Sequence, residues 1–261
     1  MKREELREKI VRILVNGGKN MREANVMLHG ITMFSDVPDK EAKRLLKVAK
    51  KRCKDIPLQY LLKETKFMGL NIRCNKNALI PRPETELMVD IIVRNEKGVE
   101  SVLDLCCGTG CIGLSIKKHL NVNVDVADIS DKALREVSKN AKNNQLDVNI
   151  IKSNLFDKIN SKYDLIVSNP PYIKTEDIKK LDKEVQKEPV LALDGGIDGY
   201  DFYRRIIEKA PEFLNKNGRI YFEVGEGQAK EVSKLLKSKF KNIQVLQDYN
   251  DIERIVCATL K

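Results

Sequence analysis

The sequence has no tryptophan, 5% aromatic residues and two histidines, His29 and His119. So few histidines disfavour His-rich metal sites and most nucleophile–histidine triads. Both lie in helix-like stretches without partners in sequence, and both are expected to be ordinary residues. Long apolar runs are missing too. The stretch 102–116 comes nearest, but Asp104 and three glycines interrupt it, and a membrane span needs roughly 18 or more apolar residues. The start, Met1-Lys2-Arg3-Glu4-Glu5, leads into an amphipathic pattern and does not read as a secretion signal. The six cysteines, Cys53, Cys74, Cys106, Cys107, Cys111 and Cys257, are not spaced as a disulfide framework. A cytoplasmic protein with no membrane association is expected.

What is present is a chain of 261 residues, 42% hydrophobic and 33% charged. That suffices for one large domain, or for a medium and a small one. The net charge of +10 is uneven: residues 1–65 hold 16 Lys/Arg against 9 Asp/Glu, and the rest hold 32 against 29. A basic N-terminal region thus precedes a near-neutral body. Such asymmetry points either to a ribonucleoprotein partner or to a solvated Lys-rich helical surface.

Residues 1–55 read as helices, with Leu6, Ile10, Ile13 and Leu14, then Ala42, Leu45, Leu46 and Ala49, at helical spacing. Pro38-Asp39 suits a helix start, and Pro57 ends the region. Residues 66–73, with Gly69 in the middle, read as a short hairpin. After Pro81-Arg82-Pro83, residues 84–93 read as helix. From about residue 100 strand-like and helix-like segments alternate. Strands are expected at 102–105, 122–127, 148–151, 165–167 and 219–224, and helices at 112–119, from Ser130-Asp131 to about 143, at 200–214 and at 228–237. Two strands, 243–246 and 255–259, close the chain. This grammar predicts an α/β fold whose mainly parallel sheet is covered on both faces and ends in an antiparallel hairpin.

Two constellations carry chemistry. The first is Asp104-Leu105-Cys106-Cys107-Gly108-Thr109-Gly110-Cys111-Ile112-Gly113, directly after a strand and opening a helix. Glycines there let the backbone approach a ligand, and the helix start offers free N–H groups. Asp128, followed by Ile129-Ser130, ends the next strand, where a carboxylate can accept from ribose hydroxyls. Gly108-x-Gly110-x-x-Gly113 fits a dinucleotide fingerprint. The same layout also serves S-adenosylmethionine, and this loop alone does not separate the two. Its three cysteines, with no histidine nearby, are expected to pack as small apolar residues and to bind no metal.

The second constellation is Asn169-Pro170-Pro171-Tyr172 at the carboxyl end of the strand that starts near Asp164. Two successive prolines fix the backbone and remove two N–H donors. What remains is a stiff turn with bare carbonyls, one amide and one ring. Asn169 Oδ1 and the Pro170 carbonyl can each accept an N–H from a planar NH2 group, and Tyr172 can pack on the flat face of the target.

Asn-Pro-Pro-Tyr after a strand resembles the amino-group methyltransferases that use S-adenosylmethionine. Three further segments narrow the resemblance to the PrmC/HemK family of release factor glutamine methyltransferases. They are Pro57-Leu58-Gln59-Tyr60-Leu61-Leu62, Leu79-Ile80-Pro81-Arg82-Pro83-Glu84-Thr85-Glu86, and Glu188-Pro189-Val190-Leu191-Ala192-Leu193 with Asp198-Gly199. The resemblance covers residue 56 to the end.

It implies a seven-stranded Rossmann-like methyltransferase domain at 81–261, a β-hairpin linker at 63–80 and a helical release-factor-binding domain at 1–62. It implies N5 methylation of the glutamine in the Gly-Gly-Gln motif of peptide chain release factors. Asn169, Pro170 and Tyr172 would be catalytic, with Pro171 also at the substrate. Asp104, Cys106, Cys107, Gly108, Thr109, Gly110, Asp128, Ile129, Asn154, Leu155 and Asn169 would hold S-adenosylmethionine. A monomer with no nucleic-acid substrate is expected.

The chain departs from the family loop, usually Asp-Leu-Gly-Thr-Gly-Ser-Gly, by Cys106 and Cys107 at the first glycine and the threonine. Cys106 is expected to keep a negative φ. Asn154 stands where an acidic residue is common. Arg82, Glu84 and Glu86 suit either the donor site or a structural role, with the structural role favoured. The alternatives are an RNA or DNA base amino-group methyltransferase, a silent helical adaptor and a nicotinamide dehydrogenase. Low aromatic content and a near-neutral body weigh against the first, the intact donor loop and Asn-Pro-Pro-Tyr turn weigh against the second, and cofactor titration separates the third.

Overall fold

Apolar residues three and four apart near the N-terminus form the expected helices. The computed structural model describes residues 1–31 and 35–261; residues 32–34, inside the stretch expected to be helical, lie outside the described residues. The chain divides into two units, 1–64 with 182–187, and 65–181 with 188–261.

The first unit holds α1 (Arg3–Asn16), α2 (Glu23–Met27), α3 (Asp39–Arg52) and α4 (Leu58–Leu62). Leu6, Ile10 and Leu14 of α1 and Ala42, Leu45 and Ala49 of α3 are buried together, as their spacing predicts. Pro57 ends one helical run and also starts α4, because a proline's fixed φ suits a helix entry. Residues 182–187 join this unit through ions. Glu184 receives Lys19 at 2.9 Å and the buried Arg52 at 2.7 Å, and Arg52 also pairs with Glu23 at 2.6 Å. The sequence pattern, which put 182–187 in the body, has no signal for that attachment.

The hairpin of β1 (Glu64–Phe67) and β2 (Leu70–Arg73) begins on the last residue of the first segment and continues in the second unit. Met68 and Gly69 both have positive φ at its turn, the pairing a tight hairpin favours. After α5 (Pro83–Asn95) come β3 (Ser101–Leu105), α6 (Cys111–Leu120), β4 (Asn123–Asp128), α7 (Asp131–Asn144), β5 (Asn149–Lys152) and β6 (Tyr163–Ser168). Then follow α8 (Asp201–Lys209), β7 (Leu214–Glu223), α9 (Ala229–Leu236), β8 (Phe240–Gln247) and β9 (Glu253–Leu260). Among the described residues seven strands form one sheet in the order β5-β4-β3-β6-β7-β9-β8. Only β9 runs antiparallel to its neighbours β7 and β8. This is the expected α/β architecture.

Helix α8 is shorter than the 200–214 expected. Pro211 lacks an N–H and cannot continue an α-helix, so the chain tightens into a 3-10 turn at Ala210–Glu212 and Leu214 already begins β7.

Two features aim this fold at a ligand. Successive connections leave β3 in opposite directions, so a crevice opens between the carboxyl ends of β3 and β6. Fully buried Asn140 of α7 supports the turn after β3 from behind. Its Oδ1 accepts Arg73 N–H of β2 at 2.9 Å, and its Nδ2 donates to Thr109 O at 2.9 Å. Asn140→Ala orphans both groups, and a buried unpaired polar group costs about 1–3 kcal/mol. Denaturant titration is expected to show a loss of about 2 kcal/mol or more.

Candidate active site

A cavity of about 630 Å³ lies at the carboxyl ends of β3, β4 and β6, entirely within the second unit. Of the residues expected at the donor, Cys106, Cys107, Gly108, Thr109, Asp128, Ile129, Asn154, Leu155 and Asn169 line it, and Asp104 and Gly110 do not.

Asp128 ties the first two strand–helix turns together. Its Oδ2 accepts Gly108 N–H at 2.9 Å and its Oδ1 accepts Ser130 N–H at 2.8 Å. Burial still pushes its carboxyl above the ordinary range. Ser130 caps α7 by accepting Ala133 N–H at 3.2 Å. A Cβ built on Gly108 would meet Ala78 Cβ at 4.0 Å, an ordinary contact, and the positive φ of 54° is what favours glycine there. Gly110, at φ 77°, is a different case: a Cβ would meet Val137 Cγ1 at 2.9 Å, so this glycine seats the turn against α7.

Cys106 has a φ of 59°, against the expected negative value. The left-handed step turns the chain so that Cys107 N–H reaches Ala127 O at 3.1 Å. That bond, worth about 0.5–1.5 kcal/mol, offsets part of the roughly 1–2 kcal/mol a side chain costs in this region. Burial raises the Cys106, Cys107 and Cys111 thiols well above the usual range, so they stay neutral.

Asp104 is a second correction. It is fully buried, behind the loop rather than on the cavity, and its Oδ2 accepts Gly113 N–H at 2.8 Å at the start of α6. Its Oδ1 has no partner. Burial, reinforced by the Asp128 charge, pushes the carboxyl up to about 8 against the lowering effect of the Gly113 bond.

At the other end of the cavity Ser168 Oγ donates to Leu105 O at 2.7 Å, locking the end of β6 to β3. Asn169 follows at the cavity wall. Its Nδ2 donates to Thr85 Oγ1 at 3.2 Å, and its Oδ1 is buried without a partner. Pro171 lines the cavity, whereas Pro170 and Tyr172 do not. Tyr172 was expected on the target's flat face. Instead its ring lies beside Gly225, where a Cβ would meet Cδ2 at 3.1 Å, and its carbonyl accepts Gln228 Nε2 at 3.0 Å. It is half-buried against the core under α8 and α9. The cavity wall thus holds Asn169, whose buried amide oxygen has no partner, and Pro171, with the Tyr172 ring set behind them.

Several site residues carried no individual signal in the sequence. Thr85 lines the cavity and donates to Glu223 Oε2 at the end of β7. Burial pushes the Glu223 carboxyl up to about 7. Glu188 is buried, accepts Ile80 N–H at 2.9 Å and pairs with Arg82, so it pins the wall around Ile80. Glu86 accepts Met68 N–H at the hairpin turn. Arg82 and Glu86 therefore have structural partners. Asn154 Oδ1 accepts Arg205 Nη2 at 2.9 Å. Among the described residues no group of three His, Cys, Asp or Glu could hold a metal ion, and no helix is long and apolar enough to cross a membrane.

The methyltransferase small domain model matches residues 83–253. The chain is 36% identical to a release factor glutamine methyltransferase of Thermodesulfovibrio yellowstonii, covering 95% of this chain and 96% of that one. It is 36% identical to the one from Clostridium acetobutylicum, over 85% and 82%. Among solved structures, a Pyrococcus furiosus methyltransferase matches with a TM-score of 0.57 at 17% identity, over 73% of this chain and 89% of that one. A Thermus thermophilus 16S rRNA methyltransferase with S-adenosylmethionine and guanosine bound matches with a TM-score of 0.55 at 18% identity, over 76% and 50%. These two structures share the fold.

Asp104 supplies a test of the loop's support. Its folded-state carboxyl holds its proton up to about 8, and an unfolded one releases it near 4. Its native proton therefore stabilises at low pH, and that stability is lost as pH rises between those values. Asp104→Asn has no proton to lose. Thermal unfolding without donor is expected to show the variant gaining on the wild type from about pH 4 to pH 8, with a constant difference outside that window.

Proposed function

We infer the reaction from one premise: the chain belongs to the family of release factor glutamine methyltransferases. It transfers a methyl group from S-adenosylmethionine to the side-chain amide nitrogen of the glutamine in the Gly-Gly-Gln motif of peptide chain release factors. The observation that carries the chemistry is Asn169, a residue of the cavity wall whose buried Oδ1 has no partner.

The lining fits the donor. Asp128 presents a carboxylate for ribose hydroxyls, Ile129 and Leu155 give apolar surface for a base, and Gly108 adds bare backbone to the lining. Cys106, Cys107, Thr109 and Asn154 complete the wall. Asp104 and Gly110 act from behind, by holding the turn. S-adenosylmethionine supplies a methyl group already activated by its sulfonium, so the chain needs neither a metal nor a nucleophile of its own.

The task left to the protein is to place a poor nucleophile. An amide lone pair is delocalised into the carbonyl. Positioning of this kind is worth about 7–11 kcal/mol at most. Asn169 Oδ1 and the carbonyl of Pro170, the next residue of the turn though outside the cavity lining, accept the target's N–H groups and fix its nitrogen. As the new bond forms, the nitrogen loses planarity and its N–H groups become more acidic. The two acceptors then bind more strongly than in the ground state, which lowers the barrier. The prolines offer no N–H at this point, so no donor competes for the orientation. Tyr172 supports the turn from behind, and the amide proton leaves to solvent.

Residues 1–62 form the surface that grips the release factor, supported by their positive charge and helical build. The hairpin at 63–80 precedes the catalytic domain at 81–261. The protein acts as a monomer in the cytoplasm, where release factors work, and takes no nucleic-acid substrate.

Intact-mass measurement tests this. Incubation with S-adenosylmethionine and a purified release factor is expected to add one methyl mass, and a Gly-Gly-Ala version is expected to gain none. No gain on either, with donor binding intact, sinks the glutamine assignment and directs the search to nucleic-acid bases. Asn169→Ala is expected to slow turnover by roughly 10²–10³-fold, by analogy with loss of one oxyanion-hole partner. Donor affinity, measured by calorimetry, is expected to fall less.

A further inference from the structure

The reaction as inferred uses the Asn169 amide but assigns no task to Thr85 and Glu223 behind it. Both are buried, at 3% and 2% exposure, and they come from α5 and the end of β7, 138 residues apart in sequence. We propose that Glu223 and Thr85 form a relay that fixes which end of the Asn169 amide faces the cavity. The inference rests on the reading of Asn169 as acceptor for the target amide.

A side-chain amide has two ends of nearly the same shape, one accepting and one donating. Packing alone does not choose between them, and hydrogen-bond partners do. Thr85 has one hydroxyl proton. With Glu223 ionised, the carboxylate only accepts, so Thr85 gives it that proton. The Thr85 oxygen then has lone pairs alone to offer, and Asn169 must turn Nδ2 toward it. Oδ1 is left as the end turned away from Thr85, buried and unmatched. The Asn169 side chain also helps stabilise the same carboxylate.

A proton on Glu223 Oε2, the oxygen that faces Thr85, reverses every bond in this chain. The acid O–H now donates to Thr85 Oγ1, and the Thr85 proton passes on to Asn169. Asn169 must then present Oδ1 inward and Nδ2 to the cavity. A donor would face the N–H groups of the target, and neither could bond. The ionised form of Glu223 is thus the working form.

The surroundings place this switch near neutral pH. Burial dominates and pushes the carboxyl up, Glu84 adds to the rise, and Arg254, Thr85 and Asn169 oppose it. Tyr172, Tyr203 and Cys111, which also face it, keep their protons because burial raises all three. The Tyr203 hydroxyl donates to the Glu223 main-chain carbonyl at 2.9 Å and leaves the carboxylate to Thr85. The result is a carboxyl that titrates at about 7.

The test is single-turnover methyl transfer to a purified release factor from mildly acid to mildly alkaline pH, with donor affinity measured alongside. The wild-type rate is expected to rise through an ionisation near neutrality to a plateau. Glu223→Gln still accepts from Thr85 but has no proton to gain, so its acid limb is expected to vanish. Thr85→Val cuts the relay and is expected to lower the plateau rate about tenfold or more, with KM and donor affinity moving much less. Thr85→Ser keeps the hydroxyl and is expected to restore both rate and pH profile. An acid limb that persists in Glu223→Gln, or a Thr85→Val enzyme with the wild-type rate and profile, overturns the relay and leaves the glutamine reaction standing. A wild-type enzyme that leaves the glutamine unmethylated at every pH overturns both.

Discussion

The transfer end of this molecule depends on one unmatched acceptor, Asn169 Oδ1. A buried oxygen without a partner costs about 1–3 kcal/mol, and the fold maintains it from several sides. Ser168 binds across to β3, so the end of β6 cannot drift. Two prolines remove the N–H groups that would otherwise satisfy the oxygen locally. Thr85 occupies the other end of the amide. On the proposed reaction the NH2 group of the target meets this deficit.

The donor end follows the opposite rule, because there every exposed turn is anchored. Asp128 holds two turns at once, Asp104 holds the start of α6, and Asn140 holds the turn after β3. Asn140 also holds the hairpin through Arg73. One buried amide therefore couples the hairpin, α7 and the donor loop. The loop is rigid enough that Cys106 keeps a left-handed conformation despite its side chain.

What was legible in the sequence was what local patterning encodes. Alternating strands and helices gave the sheet, Ser130-Asp131 gave a cap, and Asn169-Pro170-Pro171 marked a turn at the cavity. What was not legible depends on tertiary partners. Thr85 and Glu223 look like any helix threonine and strand carboxylate until the fold brings them together. The sign of φ at Cys106 follows from a bond to Ala127 on another strand. Tyr172 sits behind the turn because Gly225 leaves room for its ring, and a motif cannot show that. Residues 182–187 join the helical unit through Arg52 and Lys19, charges that read from sequence as ordinary surface lysine and arginine. Asp104 was legible as important but not as a buried brace.

The wall around the acceptor turn is made of main chain. A Cβ at Gly195 would lie 2.6 Å from Tyr172 Cα and 2.8 Å from Pro171 O, and one at Gly199 would lie 2.5 Å from Tyr172 O. None of these atoms belongs to a side chain that could swing away. A saturation library scored by growth would therefore rank Gly195 and Gly199 with Asn169, although neither glycine lines the cavity. Such a map, taken alone, would draw the active site too large by the thickness of the shell that shapes it.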